Sequence, residues 1–167
     1  CNPAIKKVSD RDAVRQAVTD GRISILATDH APHTWEEKQG TYFNAPSGLP
    51  LIQHTLLMMM EMCQQNEFSP ELIVERACHA PARLFQVKDR GYLREGYWAD
   101  LVVVDPEGKT AVKDTELFSK CGWSPFSHLT FTHSVETTVV SGQVAYHLGQ
   151  VQMDCRGHRA QFCKDRR

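Results

Sequence analysis

The sequence predicts a mixed α/β chain whose second part turns β-rich, and three observations predict it. A capped helical stretch runs directly into the short apolar segment Ile23-Ser24-Ile25-Leu26-Ala27-Thr28, the order expected of a helix feeding a buried parallel strand. Beyond Asp89 the helical pattern gives way to Leu101-Val102-Val103-Val104 and to a hairpin-like run around Ser141-Gly142. The chain has 167 residues, room for one domain or for one and a small piece. This change of pattern divides it into an α/β part to about residue 90 and a β-rich part over 91–167.

Taken in order, Ser9 is expected to cap a helix over Asp10 to Thr19. Asp10 and Asp12 favour its positive end, Val14 and Val18 mark its buried side, and Gly21 closes it. Asp29 to Ser47 shows no sustained period and reads as a long loop, a length that in a compact domain signals function or disorder. Pro50 suits the first turn of a helix reaching about Gln65. Ser69-Pro70 opens another, and a short helix covers Pro81 to Phe85. Leu101 to Val104 is a strand, and Val135 to Val140 pairs with Gln143 to Tyr146 through a two-residue turn. The tail from Arg156 is basic and expected to be loosely ordered.

Composition narrows the function. Nineteen basic and twenty acidic residues leave a net charge of −1, so no global positive field exists to hold nucleic acid or an anionic membrane. The most apolar stretch, Leu49 to Met62, is interrupted by polar residues and falls short of the ~20 residues a bilayer needs. Six cysteines without a Cys-x-x-Cys pair are sparse for a secreted scaffold, and reduced thiols in a cytoplasmic protein are expected. The opening Cys1-Asn2-Pro3, with no initiator Met, suggests a piece of something longer.

The chemistry concentrates in Ala27-Thr28-Asp29-His30-Ala31-Pro32-His33-Thr34. A carboxylate and two imidazoles stand where a buried strand ends, which is where catalytic groups collect in parallel α/β architectures. A carboxylate there can ligate a metal or shuttle a proton to and from activated water. Equally, Asp and His after a strand commonly cap a turn, and both readings stay open on spacing alone. His54 reads as a hydrogen-bonded packing residue, and the Met58–Met62 run as core. Cys63 and Cys78 read as buried thiols without an activating partner. Trp35, Trp98 and Trp123 are dispersed along the chain, and Cys155, His158 and Cys163 lack the close pair of a zinc knuckle.

The Asp29 segment resembles the last catalytic strand and loop of the dihydroorotases, within the cyclic amidohydrolase group of the amidohydrolase superfamily. The likeness extends to Asn2-Pro3, Phe43-Asn44-Ala45-Pro46-Ser47-Gly48, Ala80-Pro81-Ala82-Arg83-Leu84-Phe85, Gly91 to Asp105 and Ser124-Pro125-Phe126. It implies the C-terminal part of a (β/α)8 metal-dependent barrel over 1–90, followed by strands of a small β-sandwich domain over 91–167. The implied reaction interconverts dihydroorotate and N-carbamoyl-L-aspartate, with one or two Zn2+ ions as cofactor. Asp29 would be a metal ligand and the general acid/base, moving a proton from the attacking hydroxide to the departing amide nitrogen. His33 would hydrogen-bond the substrate near its carboxylate, Asn2 would contact the ring, and backbone around Ser47 and Gly48, or Ala45 on a different alignment, would bind its amide edge. A small-molecule substrate, a homodimer and association with aspartate transcarbamoylase complete the implied partners.

No His-x-His pair occurs in the chain, and the resemblance places the family's carboxylated lysine and two further histidines upstream of this segment as well. A closed barrel needs ~250 residues. The chain is therefore expected to be the C-terminal portion of a longer enzyme, inactive alone. An allantoinase or hydantoinase on the same fold, and a non-catalytic partner of aspartate transcarbamoylase, are the competing readings. His33 argues against the first, because those rings carry no carboxylate.

Overall fold

The computed structural model describes residues 3–163. Helix α1 spans Val8–Thr19, α2 Trp35–Lys38, α3 Thr55–Gln64, α4 Pro70–Val74 and α5 Ala80–Leu84. A π-type turn over Glu75–His79 joins the last two into one continuous helical segment. The strands among the described residues are β1 Leu101–Asp105, β2 Thr110–Ala111, β3 Thr130–Phe131, β4 Ser134–Val140, β5 Gln143–His147 and β6 Gln150–Val151.

Helix α1 begins one residue before the expected cap. Lys7 is its N-cap, and the Asp10 carboxylate accepts from the Lys7 N–H at 3.2 Å, so Ser9 lies inside the first turn. Val18 is buried, but Val14 remains 43% exposed; Ala17 takes the second buried place, because only the last turns of the helix reach the core. Ser69 caps α4 as expected, accepting from Leu72 N at 3.2 Å with Pro70 in the first turn.

Two expectations are corrected. Ile23–Thr28 is not a strand. Its Ile23 N–H donates to Ala17 O and its Leu26 N–H to Arg76 O, and it joins no ladder among the described residues. A strand exists only through its neighbours, and the sole pairing here is the parallel bridge between His30 and Leu49. The helix expected from Pro50 starts only at Thr55. Its would-be first turn is diverted, since Ile52 N–H donates to His30 Nδ1 at 3.2 Å and the Gln53 side chain binds Glu116 O and Phe118 N.

The β-rich region is antiparallel, in the order β1-β4-β5-β6, with β2-β3 as a separate pair. Leu101 faces Val139 and Asp105 faces Ser134, and Val140 faces Gln143 across the expected two-residue turn. Ser141 and Gly142 there have φ of 51° and 83°, the left-handed pair that matches strand twist. The described part of the tail, to Cys163, makes specific contacts. Phe162 bridges Val87, Lys88 N–H donates to Gln161 O, and the His158 ring stacks on Trp98 at 4.8 Å.

Helix α3 links two core clusters. Val18, Met59, Phe68 and Ile73 form one, with Met58, Met62, Ile23 and Leu26 against it. Leu57, Val112 and Phe131 form the other, with Met58, Leu117, Phe126 and Val135. The methionine run is core, as expected. The β2-β3 ladder is only two residue pairs long, and the apolar contact of Val112 and Phe131 with Leu57, worth roughly 25 cal/mol per Å2 buried, holds it to the helix. No helix among the described residues is long and apolar enough to cross a membrane.

Candidate functional site

The loop after Thr28 is built from local bonds. Thr28 Oγ1 accepts from His30 N–H at 3.2 Å, turning the chain at Asp29, whose φ of 45° is left-handed. His30 Nδ1 accepts from Ile52 N–H, which leaves its ring proton on Nε2. Ala31 N–H donates to Leu49 O at 3.0 Å, and His33 N–H closes a three-residue turn on Ala31 O around Pro32.

Beyond His33 the chain is not a featureless loop. Thr34-Trp35-Glu36-Glu37 forms a capping box: Glu37 N–H donates to Thr34 Oγ1, and Thr34 N–H to the Glu37 carboxylate. Helix α2 places Lys38 so that its ammonium donates to Pro46 O at 2.6 Å and Gly48 O at 3.0 Å. Gly48 has a φ of 109° and lies against Ala31. Asp29, Ala31 and Gly48 therefore flank the same His30–Leu49 bridge, and His33 stands two residues beyond Ala31.

The candidate residues among those described each have a definite place. The Asp29 carboxylate is exposed and takes no hydrogen bond or ion pair among the described residues. Of three clefts formed by the described residues it lines none; one of about 880 Å3 lies between the start of α3 and the β-sheet. The His33 ring is partly exposed, with Nδ1 3.6 Å from a Glu37 carboxylate oxygen. Ser47 is exposed beside Gly48. Asn2 lies outside the described residues.

Sequence reasoning missed two residues. Lys38 was invisible as a clamp, although the Thr-x-x-Glu box that positions it can be read from the chain. Trp123 is brought from the β-rich region to the loop, where its indole N–H donates to His33 O at 2.8 Å and its ring meets Trp35 edge-on at 5.7 Å. Two of the three dispersed tryptophans are thus neighbours. His54 differs from expectation too: it is buried between Phe126 and Phe131, and its Nδ1 has no hydrogen-bond partner among the described residues. Burial holds its pKa below the usual 6.5. Cys63 is half-buried, with burial and Glu71 raising its thiol pKa, whereas Cys78 is exposed rather than buried.

No group of three or more His, Cys, Asp or Glu side chains that could hold a metal occurs among the described residues. The unpartnered Asp29 carboxylate fits a single oxygen ligand, short of the three protein ligands a catalytic zinc uses.

This chain belongs to the amidohydrolase family, whose profile matches residues 2–145. It is similar to the dihydroorotase of Clostridium acetobutylicum, 36% identical over 87% of this chain and 34% of that protein. The dihydroorotase of Halobacterium salinarum is 36% identical over 75% of this chain and 30% of its own length. Among solved structures, the L-hydantoinase (dihydropyrimidinase) of Arthrobacter aurescens superposes with a TM-score of 0.84 at 27% identity, covering 91% of this chain and 35% of that one. The D-hydantoinase (dihydropyrimidinase) of a Thermus species superposes with 0.82 at 22% identity, over 90% of this chain and 34% of its own, a likeness of fold alone. The chain spans about a third of the length of the relatives it matches.

Proposed function

We propose that these residues form part of a zinc-dependent dihydroorotase, with Asp29 as its acid/base group. The observation that carries this is the Asp29 carboxylate itself, fixed in a left-handed turn and unpaired among the described residues. A carboxylate that nothing in its surroundings neutralises is free to bind a cation and to exchange a proton. The identity to two dihydroorotases supports the substrate class. On this reading residues 1–90 belong to a (β/α)8 barrel and 91–167 to a small β-sandwich, and residues outside this chain supply the remaining ligands and cavity wall.

Zinc would supply the acidity that makes water a nucleophile near neutral pH. The residues of this chain do the rest. Asp29 takes a proton from the attacking water and returns it to the amide nitrogen as the ring C–N bond breaks, giving N-carbamoyl-L-aspartate; the reverse path closes the ring. His33 hydrogen-bonds the substrate carboxylate. The backbone at Ser47 and Gly48, open because Gly48 carries no side chain, meets the ring's amide edge. A cytoplasmic enzyme, dimeric and able to associate with aspartate transcarbamoylase, belongs to the same reading.

The test is zinc content and dihydroorotate turnover of the full-length protein. Asp29→Ala should lower kcat at least about a hundredfold, the usual worth of a positioned acid/base. Unchanged turnover removes Asp29 from the mechanism, and a zinc-free, inactive protein favours the non-catalytic partner. The 167 residues alone should neither bind zinc tightly nor turn over substrate. The hydantoinase reading has one observation of its own, the superposition on the Arthrobacter enzyme; preference for an uncharged ring over dihydroorotate would establish it.

A further inference from the structure

His33 is the candidate binding residue whose placement depends on a distant part of the chain. Its peptide is held at both ends: the N–H by Ala31 O at 2.9 Å and the carbonyl by Trp123 Nε1 at 2.8 Å, ninety positions away. With both peptide groups fixed, the Cα–Cβ direction is fixed, and only two side-chain torsions remain to aim the imidazole.

The Trp123 ring is itself braced. Its edge-on contact is with Trp35, the first residue of α2, so it touches the loop on both sides of Thr34. Cys121 Sγ lies 3.5 Å from Trp123 O, and the buried Ser124 beside it donates its N–H to Ser127 Oγ. Upstream, the Gln53 amide accepts from Phe118 N–H at 2.9 Å and donates to Glu116 O at 3.0 Å. The segment carrying Trp123 is thereby pinned to the same stretch, Pro50 to Gln53, that His30 grips through Ile52.

We propose that Trp123 is a positioning residue for substrate discrimination: through the His33 carbonyl it aims the imidazole at the anionic group of a carboxylated ring. This rests on the dihydroorotase reading. It requires that losing the indole N–H weaken binding of a carboxylated ring and leave an uncharged ring, which does not use His33, unaffected.

Trp123→Phe in the full-length protein keeps an aromatic ring against Trp35 and removes the N–H. KM for dihydroorotate should rise about five- to tenfold, the worth of one hydrogen bond, with kcat held within about twofold. KM for hydantoin, which has no carboxylate, should stay within about twofold. Equal rises for both rings, no rise for either, or a fall in kcat alone overturns the role. A second measurement needs no variant: the indole N–H of Trp123 should exchange with solvent at least about tenfold more slowly than that of Trp35, which is 55% exposed. Equal exchange rates overturn the contact, and this decides the matter if Trp123→Phe does not fold. Absence of cyclic-amide turnover in the unaltered protein would sink the functional reading and this role with it; turnover with unchanged discrimination in the variant would sink Trp123 alone.

Discussion

Gly48 packs its Cα against Ala31 so closely that a Cβ at 48 would collide with the methyl group of Ala31. The two residues sit on opposite sides of the His30–Leu49 bridge. That contact sets how near the Ser47–Gly48 backbone comes to the Asp29 turn, and so the width of any site between them.

Gly48→Ala should therefore be costly twice over, through a φ of 109° and through the collision. A loss of about 1–3 kcal/mol in urea unfolding is expected. Gly96→Ala is the control. It shares a positive φ, 81°, but its added Cβ would meet open space, and it should cost only about 1 kcal/mol. Equal losses at the two positions would show that strain alone matters and that the Ala31 contact does not.

Lys38→Met should release the loop that carries Ser47. Its ammonium is the donor to both Pro46 O and Gly48 O, and charge-assisted hydrogen bonds are worth about twice neutral ones. Amide exchange around residues 45–49 should accelerate while that of α3 stays unchanged. Uniform acceleration would mean that Lys38 supports the whole fold.

His54 should make stability pH-dependent near neutrality. Burial lowers its folded pKa below the ordinary 6.5, so the unfolded chain takes the proton first. Its contribution is complete above pH 6.5, is lost as pH falls from there through the lower folded value, and changes no further below that. Glu61 acts in a separate window. The Thr132 N–H, together with the Thr132 hydroxyl and His133, lowers its pKa from 4.5, and its stabilisation is lost as pH falls below that value. His54→Phe should flatten the fall of the thermal midpoint just below pH 6.5 without touching the acid limb. It should not destabilise at pH 8, because the orphaned Nδ1 disappears and a phenyl ring fits between Phe126 and Phe131. A midpoint that still slopes in the upper window would assign it to another group.

Ser69→Ala should cost about 1 kcal/mol, the usual worth of a helix cap, because Ser69 Oγ serves Leu72 N–H at the start of the continuous α4–α5 rod. A calorimetric midpoint unchanged by the substitution would mean that Pro70 alone sets where the rod begins.

Local chemistry explains which elements could be read from the chain. Ser69-Pro70 specifies a helix start, and Ser141-Gly142 a hairpin, because cap and turn geometry depend on residues in immediate sequence contact. Thr34 to Glu37 carried the same kind of signal for α2, and its shortness hid it in the long loop. Ile23–Thr28 was apolar enough for a strand, yet pairing is a property of two segments. The start of α3 was displaced for a related reason, since His30 and Gln53 draw Pro50 to Gln53 into contacts with distant residues.

The amino-acid order by itself determined the Asp29–His33 cluster, the Ser69-Pro70 helix start and the two-residue hairpin, each written within a few consecutive residues, and the family that the whole run of such motifs resembles. Only the tertiary structure decided that Trp123 holds the His33 carbonyl, that Lys38 clamps the Gly48 loop and that His54 is buried without a partner. Trp123 lies ninety positions from His33, Lys38 reaches its carbonyls across a folded loop, and the Phe126 and Phe131 rings that enclose His54 come from the β-rich region; which segments meet is set by packing and is encoded in no local pattern.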